Sequence, residues 1–163
     1  GLMILRDIHD LLQRILNKGA FETPLFQIPG IATAAAYLAG DAFGSIFEIA
    51  VPRRFTLQSI TFVDLDNEKI PKDVVFYTGI FTPTADNAAL APAAVDLLKN
   101  PKVITIAAGD FVAFNANAVA TVTGIELPME CPDGKLRGQW VTRGADNIAA
   151  GAIPYFSISG VIE

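Results

Sequence analysis

The chain contains few of the residues that most often carry out chemistry. Its 163 residues include one cysteine, one histidine and one tryptophan. A single cysteine, Cys131, excludes an intrachain disulfide framework and indicates a chain made in a reducing cytoplasm. No segment reaches about eighteen uninterrupted apolar residues, so we expect no membrane span.

Positive charge is also sparse. The formal net charge is -5, and Arg53 and Arg54 form the only adjacent basic pair. Without a basic stripe that alternates with aromatic residues, nucleic-acid binding is disfavoured. Apolar residues, by contrast, make up 52% of the chain. This surplus suggests that part of the protein surface is buried in subunit contacts.

The clearest pattern lies in the first eighteen residues. Leu5, Ile8, Leu12 and Ile15 recur at 3-4-3 spacing, which is the a/d pattern of a packing helix. The spacing predicts a helix over residues 2–18 with these four side chains as its interface. The flanking e and g positions are also largely apolar, and they hold Leu2, Leu16, Ile4 and Leu11.

This apolar stripe is wider than a two-helix seam needs, which favours a contact of three or more helices. A lone helix of about eighteen residues is only marginally stable in water. We therefore expect the helix to bury its stripe against its own body, sister subunits or another protein. Gly19 ends the helix.

Three parts are expected along the chain. Residues 1–19 form the helical arm, and residues 20–40 form an extended connector in which Pro24 and Pro29 prevent a long helix. Residues 41–163 form a β domain of short apolar runs separated by turns. The predicted strands are Ser45–Val51, Phe55–Val63, Asp73–Phe81, Val103–Ala107, Phe111–Asn115, Ala118–Leu127, Gly138–Arg143 and Tyr155–Ile162.

These strands predict an all-β fold, an antiparallel β-sandwich or jelly-roll-like body with an N-terminal amphipathic helix arm. The run 73–81 is apolar on both faces, which is typical of a central, fully buried strand. Residues 82–101 contain three prolines and predict a long loop with a short helical piece.

The candidate chemical groups lack partners at useful spacing. His9 lies in the arm and Cys131 precedes a turn, so an interface histidine and a structural thiol are the favoured interpretations. The acidic run 64–68 has the composition of a calcium loop. It lacks the central glycine and distal glutamate of an EF-hand and is interpreted as a turn. We expect no metal and no cofactor.

No catalytic motif is recognisable, so the chain is expected not to be an enzyme. A hydrolase would need a carboxylate such as Asp64 or Glu126 paired with another acid across a cleft. A carbohydrate-binding module would need exposed aromatic rings, and Trp140, Tyr77 and Tyr155 are the candidates. All three lie in apolar strands, which favours core positions for them.

Five stretches of the chain carry a resemblance to a known group of proteins, and they are YLAGDAFG (37–44), TFVDLDNE (61–68), DVVFY (73–77), TADNAAL (84–90) and DGKLRGQWVTRGADN (133–147). Through these stretches the chain, from about residue 37 to the C-terminus, resembles small virion proteins of tailed bacteriophages. The resemblance implies a β-sandwich virion component, a decoration or cement protein on the capsid exterior that bridges capsomers.

The partners expected from this resemblance and from the arm are the major capsid protein and further copies of the chain, as a trimer or dimer. Neither nucleic acid nor a membrane is expected as a partner. Three alternatives stay open at this point. One is a carbohydrate-binding adsorption module on a head fibre or tail tip, the second is a hydrolase, and the third is a structural protein of the tail or neck.

Overall fold

The computed structural model describes residues 2–17 and 19–163, and in the first helix it describes the side chains of residues 4–12. Most of the regular secondary structure of the described residues is β-strand. The predicted all-β, antiparallel class is therefore confirmed, with one long helix at the N-terminus. The sheets face each other in a sandwich-like arrangement.

The helices of the described residues are α1 (Leu2–Asn17) and α2 (Ala94–Leu97), and a 3₁₀ turn covers Ala108–Asp110. The strands, in chain order, are β1 (Ala20–Glu22), β2 (Phe26–Gln27), β3 (Ala36–Tyr37), β4 (Ala42–Ala50), β5 (Arg54–Asp64), β6 (Lys72–Tyr77), β7 (Lys102–Ile106), β8 (Phe111–Phe114), β9 (Asn117–Val122), β10 (Leu127–Glu130), β11 (Lys135–Thr142), β12 (Asp146–Asn147) and β13 (Tyr155–Ile162).

The strands form two main sheets and a short ladder. The large sheet has the order β1-β13-β5-β9-β8, with β2 paired to β13 and β10 paired to β5. The small sheet has the order β4-β11-β6-β7, and β3 pairs with β12. All of these pairings are antiparallel.

Aromatic side chains join the two sheets. Trp140 of the small sheet packs edge-on against Phe62 and Phe156 of the large sheet, with ring centroids 5.1 and 5.2 Å apart. Phe47 of the small sheet lies 4.9 Å from Phe156. These rings are buried, so they supply a large part of the apolar area that holds the sheets together.

The prediction of a fully buried strand within residues 73–81 is confirmed for β6, whose six residues are all buried. The strand ends at Tyr77, earlier than predicted, because the chain leaves the sheet and returns over its outer face. Phe81 of this returning loop stacks on Tyr77 at 4.0 Å. The loop of residues 78–101 thus covers the second face of β6, and its predicted helical piece is α2.

The carboxylate of Asp86 fixes that loop. It accepts hydrogen bonds from the Tyr37 hydroxyl (2.9 Å), the Gly44 amide (2.7 Å) and the Ala32 amide (3.1 Å). Burial and the bond to Asp86 raise the pKa of Tyr37, so its hydroxyl stays protonated and remains a donor. One loop carboxylate therefore ties together three separate segments of the chain.

Gln139 of β11 completes this contact. Its amide oxygen accepts from the Thr84 amide at 3.0 Å, and its amide nitrogen donates to the carbonyls of Thr84 and Gly44 at 2.6 and 3.1 Å. We call Tyr37, Gly44, Thr84, Asp86 and Gln139 the loop anchor. Its members come from three of the stretches that carry the phage resemblance.

The segment 20–40 is extended, and it lies on the body of the protein. β1 and β2 both pair with β13, and β3 pairs with β12. Ile28 and Tyr37 are fully buried. The local sequence does not reveal this because the partner strands are more than one hundred residues away.

The predicted strand 118–127 is wrong in its second half. β9 ends at Val122 and pairs with residues 60–64 of β5, whereas β10 begins at Leu127 and pairs with residues 54–57 of the same strand. Gly124 and Glu126 take positive φ angles of 68° and 51°, which turn the chain between the two strands. The run looked continuous because its residues are individually compatible with a strand.

The acidic run 64–68 forms a turn, as predicted. Both carboxylate oxygens of Asp64 accept backbone amides, those of Asp66 and Lys69, at 2.8 Å each. Glu68 accepts the amide of Asn147 at 3.2 Å. The oxygens thus hold the turn together and join it to β12.

Beside this turn lies a buried ion pair between Lys72 and Asp146. The ammonium and carboxylate are 2.7 Å apart, and their side chains are 4% and 2% exposed. The second oxygen of Asp146 is buried and has no hydrogen-bond partner among the described residues. Hydrogen bonding to Asp146 and burial raise the pKa of Glu68 to about 7.

We expect Asp86→Ala to destabilise the protein by about 2–3 kcal/mol, because the substitution removes a charged acceptor from three donors. The check is the denaturant midpoint of unfolding. Asp110→Ala is the matched control, since Asp110 accepts one exposed backbone amide, that of Ala107, and should cost about 1 kcal/mol or less. Equal losses in the two variants would contradict the anchoring role of Asp86.

Glu68 should make stability depend on pH. Its pKa in the fold, about 7, lies above its ordinary value of 4.5, so its contribution is complete below about pH 4.5 and is lost as the pH rises through about 7. Glu68→Gln keeps a donor for Asp146 and does not titrate. Unfolding midpoints measured from about pH 5 to about pH 8 should therefore fall for the wild type relative to this variant. Parallel curves would show that the pair does not share a proton.

Candidate functional site

The predicted arm forms a helix, α1, over Leu2–Asn17. The stretch contains neither glycine nor proline, and Leu, Arg, Gln and Met are strong helix formers. Lys18, at the end of the predicted helix, lies outside the described residues. Gly19 follows and leads directly into β1.

The apolar face of α1 is uncovered. Leu5, Ile8 and Leu12 are 66%, 48% and 51% exposed, and their neighbours Ile4 and Leu11 are 62% and 56% exposed. We call these five side chains the α1 stripe. The side chain of Ile15, the fourth predicted interface residue, lies outside the described residues. Of the three partners expected for the arm, its own body does not cover the described part of the stripe.

The opposite face of α1 is polar. Arg6, Asp7 and Asp10 occupy b, c and f positions and are exposed. Arg6 and Asp10 lie four residues apart, a spacing at which opposite charges support a helix. His9 is exposed as well, at an e position beside the stripe. The helix therefore has one polar, solvent-exposed face and one apolar face that is stabilised by contact with a partner.

The arm is joined firmly to the body just after it ends. The Gly19 carbonyl accepts a hydrogen bond from the Ile162 amide, and β1 then pairs with β13. Phe21 of β1 packs edge-on against Phe55 at 5.0 Å. A side chain at Gly160 would collide with this ring and with the Thr56 backbone, so the glycine permits the close packing of the arm's attachment point.

The remaining candidate groups are used within the fold. Cys131 is fully buried, and burial raises the pKa of its thiol to about 11. Both oxygens of Asp64 are hydrogen bonded within its turn, while Glu126 is exposed on the connection before β10. Among the side chains that the structure describes, no three His, Cys, Asp or Glu residues are placed to hold a metal ion.

The aromatic candidates lie mainly in the core. Trp140 is fully buried and Tyr77 is 3% exposed, while Tyr155 is half-buried. Their predicted core placement is confirmed for Trp140 and Tyr77. The two buried rings cannot stack on a sugar without unfolding of the strands that hold them.

A second exposed apolar surface was not found from the sequence. Val112 and Phe114 of β8 are 58% and 60% exposed, and Ala113 between them is exposed as well. β8 is the last strand of the large sheet and contains no charged residue, although edge strands usually carry charge. We call these three residues the β8 strip. Its apolar composition resembles that of a buried strand, so sequence alone places it inside.

The arrangement can therefore bind other protein surfaces through two apolar patches, one on a helix and one on a sheet edge. Neither described helix combines the length and apolar character needed to cross a membrane. The similarity to tailed-phage virion proteins stays a prediction. No protein-family model matches the chain, and no curated protein matches it either.

Proposed function

We propose that the protein is a non-enzymatic structural virion protein, a capsid decoration or cement protein on the capsid exterior that bridges neighbouring capsomers and assembles through its arm. The observation that carries this proposal is the uncovered α1 stripe. The body packs its own hydrophobic core and leaves the apolar face of α1 exposed. This organisation is typical of a subunit that assembles with other proteins.

The free energy available from the stripe is sufficient for such a role. Full burial of a Leu or Ile side chain contributes about 1.5–3 kcal/mol, so Leu5, Ile8 and Leu12 together offer several kcal/mol. On a symmetric shell the same contact is repeated many times, and linked contacts strengthen one another. A modest single contact is thereby enough to hold a subunit in place.

The attachment of the arm suits a protein that resists separation of its neighbours. Because β1 follows α1 after Lys18 and Gly19 and is hydrogen bonded along β13, force on the arm passes into the large sheet. A long flexible linker would instead absorb that displacement. The body carries the β8 strip as a further apolar surface for a capsid protein such as the major capsid protein.

The phage resemblance supports the proposal through the residues that carry it. Tyr37 and Gly44 come from one stretch of the resemblance, Asp86 from a second and Gln139 from a third, and all four are joined by hydrogen bonds in the loop anchor. The similar stretches thus build one structural unit of the body. The jelly-roll variant of the sandwich stays a prediction.

The alternatives differ in what they require. A carbohydrate-binding adsorption module on a head fibre or tail tip needs an exposed aromatic platform, and Trp140 and Tyr77 are buried. A structural protein of the tail or neck would use the same arm. Cryo-electron microscopy of intact particles separates a tail or neck position from a capsid position, and a glycan array tests the adsorption module.

We expect Leu12→Asp to weaken assembly by more than about a hundredfold, because an unpaired carboxylate in an apolar contact costs several kcal/mol. The measurement is cosedimentation with capsids of the encoding phage assembled without the protein. Gln13→Asp is the matched control, since it places the same side chain one residue away at the b position and should leave binding unchanged.

Circular dichroism should show the same β signal for both variants, because the arm lies outside the core. Normal assembly of Leu12→Asp would overturn the role of the arm. Failure of the wild-type protein to bind any capsid would overturn the decoration function itself.

A further inference from the structure

We propose that the partner of the α1 stripe is the same stripe on other copies of this chain, in a parallel bundle of at least three helices. This inference rests on the assembly role proposed above and names the arm's partner. Assembly then has two steps. Copies of the chain first associate through their arms, and the associated bodies then bind the capsid.

The identity of the seam residues sets the number of helices. Leu5 and Leu12 occupy a positions, while Ile8 and Ile15 occupy d positions. In parallel coiled coils, β-branched residues at a with leucine at d favour two strands. Leucine at a with isoleucine at d, the order in this chain, shifts the preference to trimers and tetramers.

The width of the stripe gives the same result. Ile4 and Leu11 at g are more than half exposed, and the e positions hold Leu2, His9 and Leu16. The positions g, d, a and e together span roughly 160° of the helix circumference at 3.6 residues per turn. A two-helix seam covers mainly a and d, whereas larger bundles also cover the flanks.

The charges beside the stripe are complementary in this arrangement. Arg6 at b lies next to the e flank, and Asp7 at c lies next to the g flank. In a parallel, in-register bundle the e flank of each helix faces the g flank of the next. Each Arg6 is then opposite a neighbour's Asp7, within about 1.5 Å along the axis, so the charges favour the correct register.

The attachment of the arm allows several bodies around one axis. β1, which follows the arm, lies at one edge of the large sheet, and β8 lies at the other. The arm therefore starts from the side of the body, and copies can bring their helices to the usual interaxial distance of about 8–10 Å while the bodies point outward. A helix of 16 residues provides about 24 Å of contact.

The buried area is adequate. A fully buried Leu or Ile side chain removes roughly 60–120 Å² of apolar surface from water. The eight apolar residues at g, d, a and e of residues 2–17 would thus bury about 500–1000 Å² per arm. Stable interfaces bury about 800 Å² per partner.

The test uses the purified full chain and light-scattering mass measurement, without capsids. The wild type should have a mass of at least about 52 kDa, three times the 17.4 kDa of one chain. The decisive variant exchanges the seam residues, Leu5→Ile, Ile8→Leu, Leu12→Ile and Ile15→Leu together. Its composition is unchanged, and it should form a dimer of about 35 kDa.

Each outcome decides the proposal. A wild type that is monomeric or dimeric overturns it. An exchange variant with the wild-type mass overturns the parallel bundle with these four residues at a and d, because only that arrangement makes the mass depend on which of leucine and isoleucine occupies each position. Capsid cosedimentation is read separately. A trimer or tetramer that ignores capsids refutes the decoration function alone, and a monomer that binds capsids refutes the bundle alone.

Discussion

The contact of Trp140 with Phe62 and Phe156 is the interaction on which the rest of the body depends. It joins the inner faces of the two sheets, so each sheet covers the apolar face of the other. The outer face of the small sheet is covered in turn by the loop that carries Phe81. The apolar faces of both sheets are therefore covered within the body. The described part of the α1 stripe is not covered by either of them.

Acidic side chains serve this body as anchors for its loops. Asp86 accepts hydrogen bonds from three donors in two segments, residues 20–40 and β4, and Asp64 accepts two backbone amides within its own turn. A carboxylate has several acceptor sites and forms strong bonds to amide donors, so one residue can replace a longer ladder of backbone bonds. In this chain the acidic loop residues that resemble binding motifs hold the chain in place.

The sequence predicted those features that depend on local periodicity. The 3-4-3 spacing identified α1, and the two apolar faces of residues 73–77 identified a buried strand. Features set by distant partners were not predictable. The pairing of residues 20–22 with β13 and the exposure of Phe114 depend on where the sheet ends, which no local pattern records. The break at Gly124 depends on backbone angles that the neighbouring residues do not require.

Because the arm is short, the stability of its helix is coupled to burial of the exposed α1 stripe. A helix of 16 residues is near the length at which isolated helices are only marginally stable in water, so burial of its stripe stabilises the helix as well as the contact. Helix formation and association are then linked, and each supplies part of the free energy of the other. Because the strand after the arm is already paired with β13, association need not order the attachment point, and less of the binding free energy is lost to conformational entropy. In the bundle proposed above, a helix this short is only marginally stable alone and is stabilised when several copies associate.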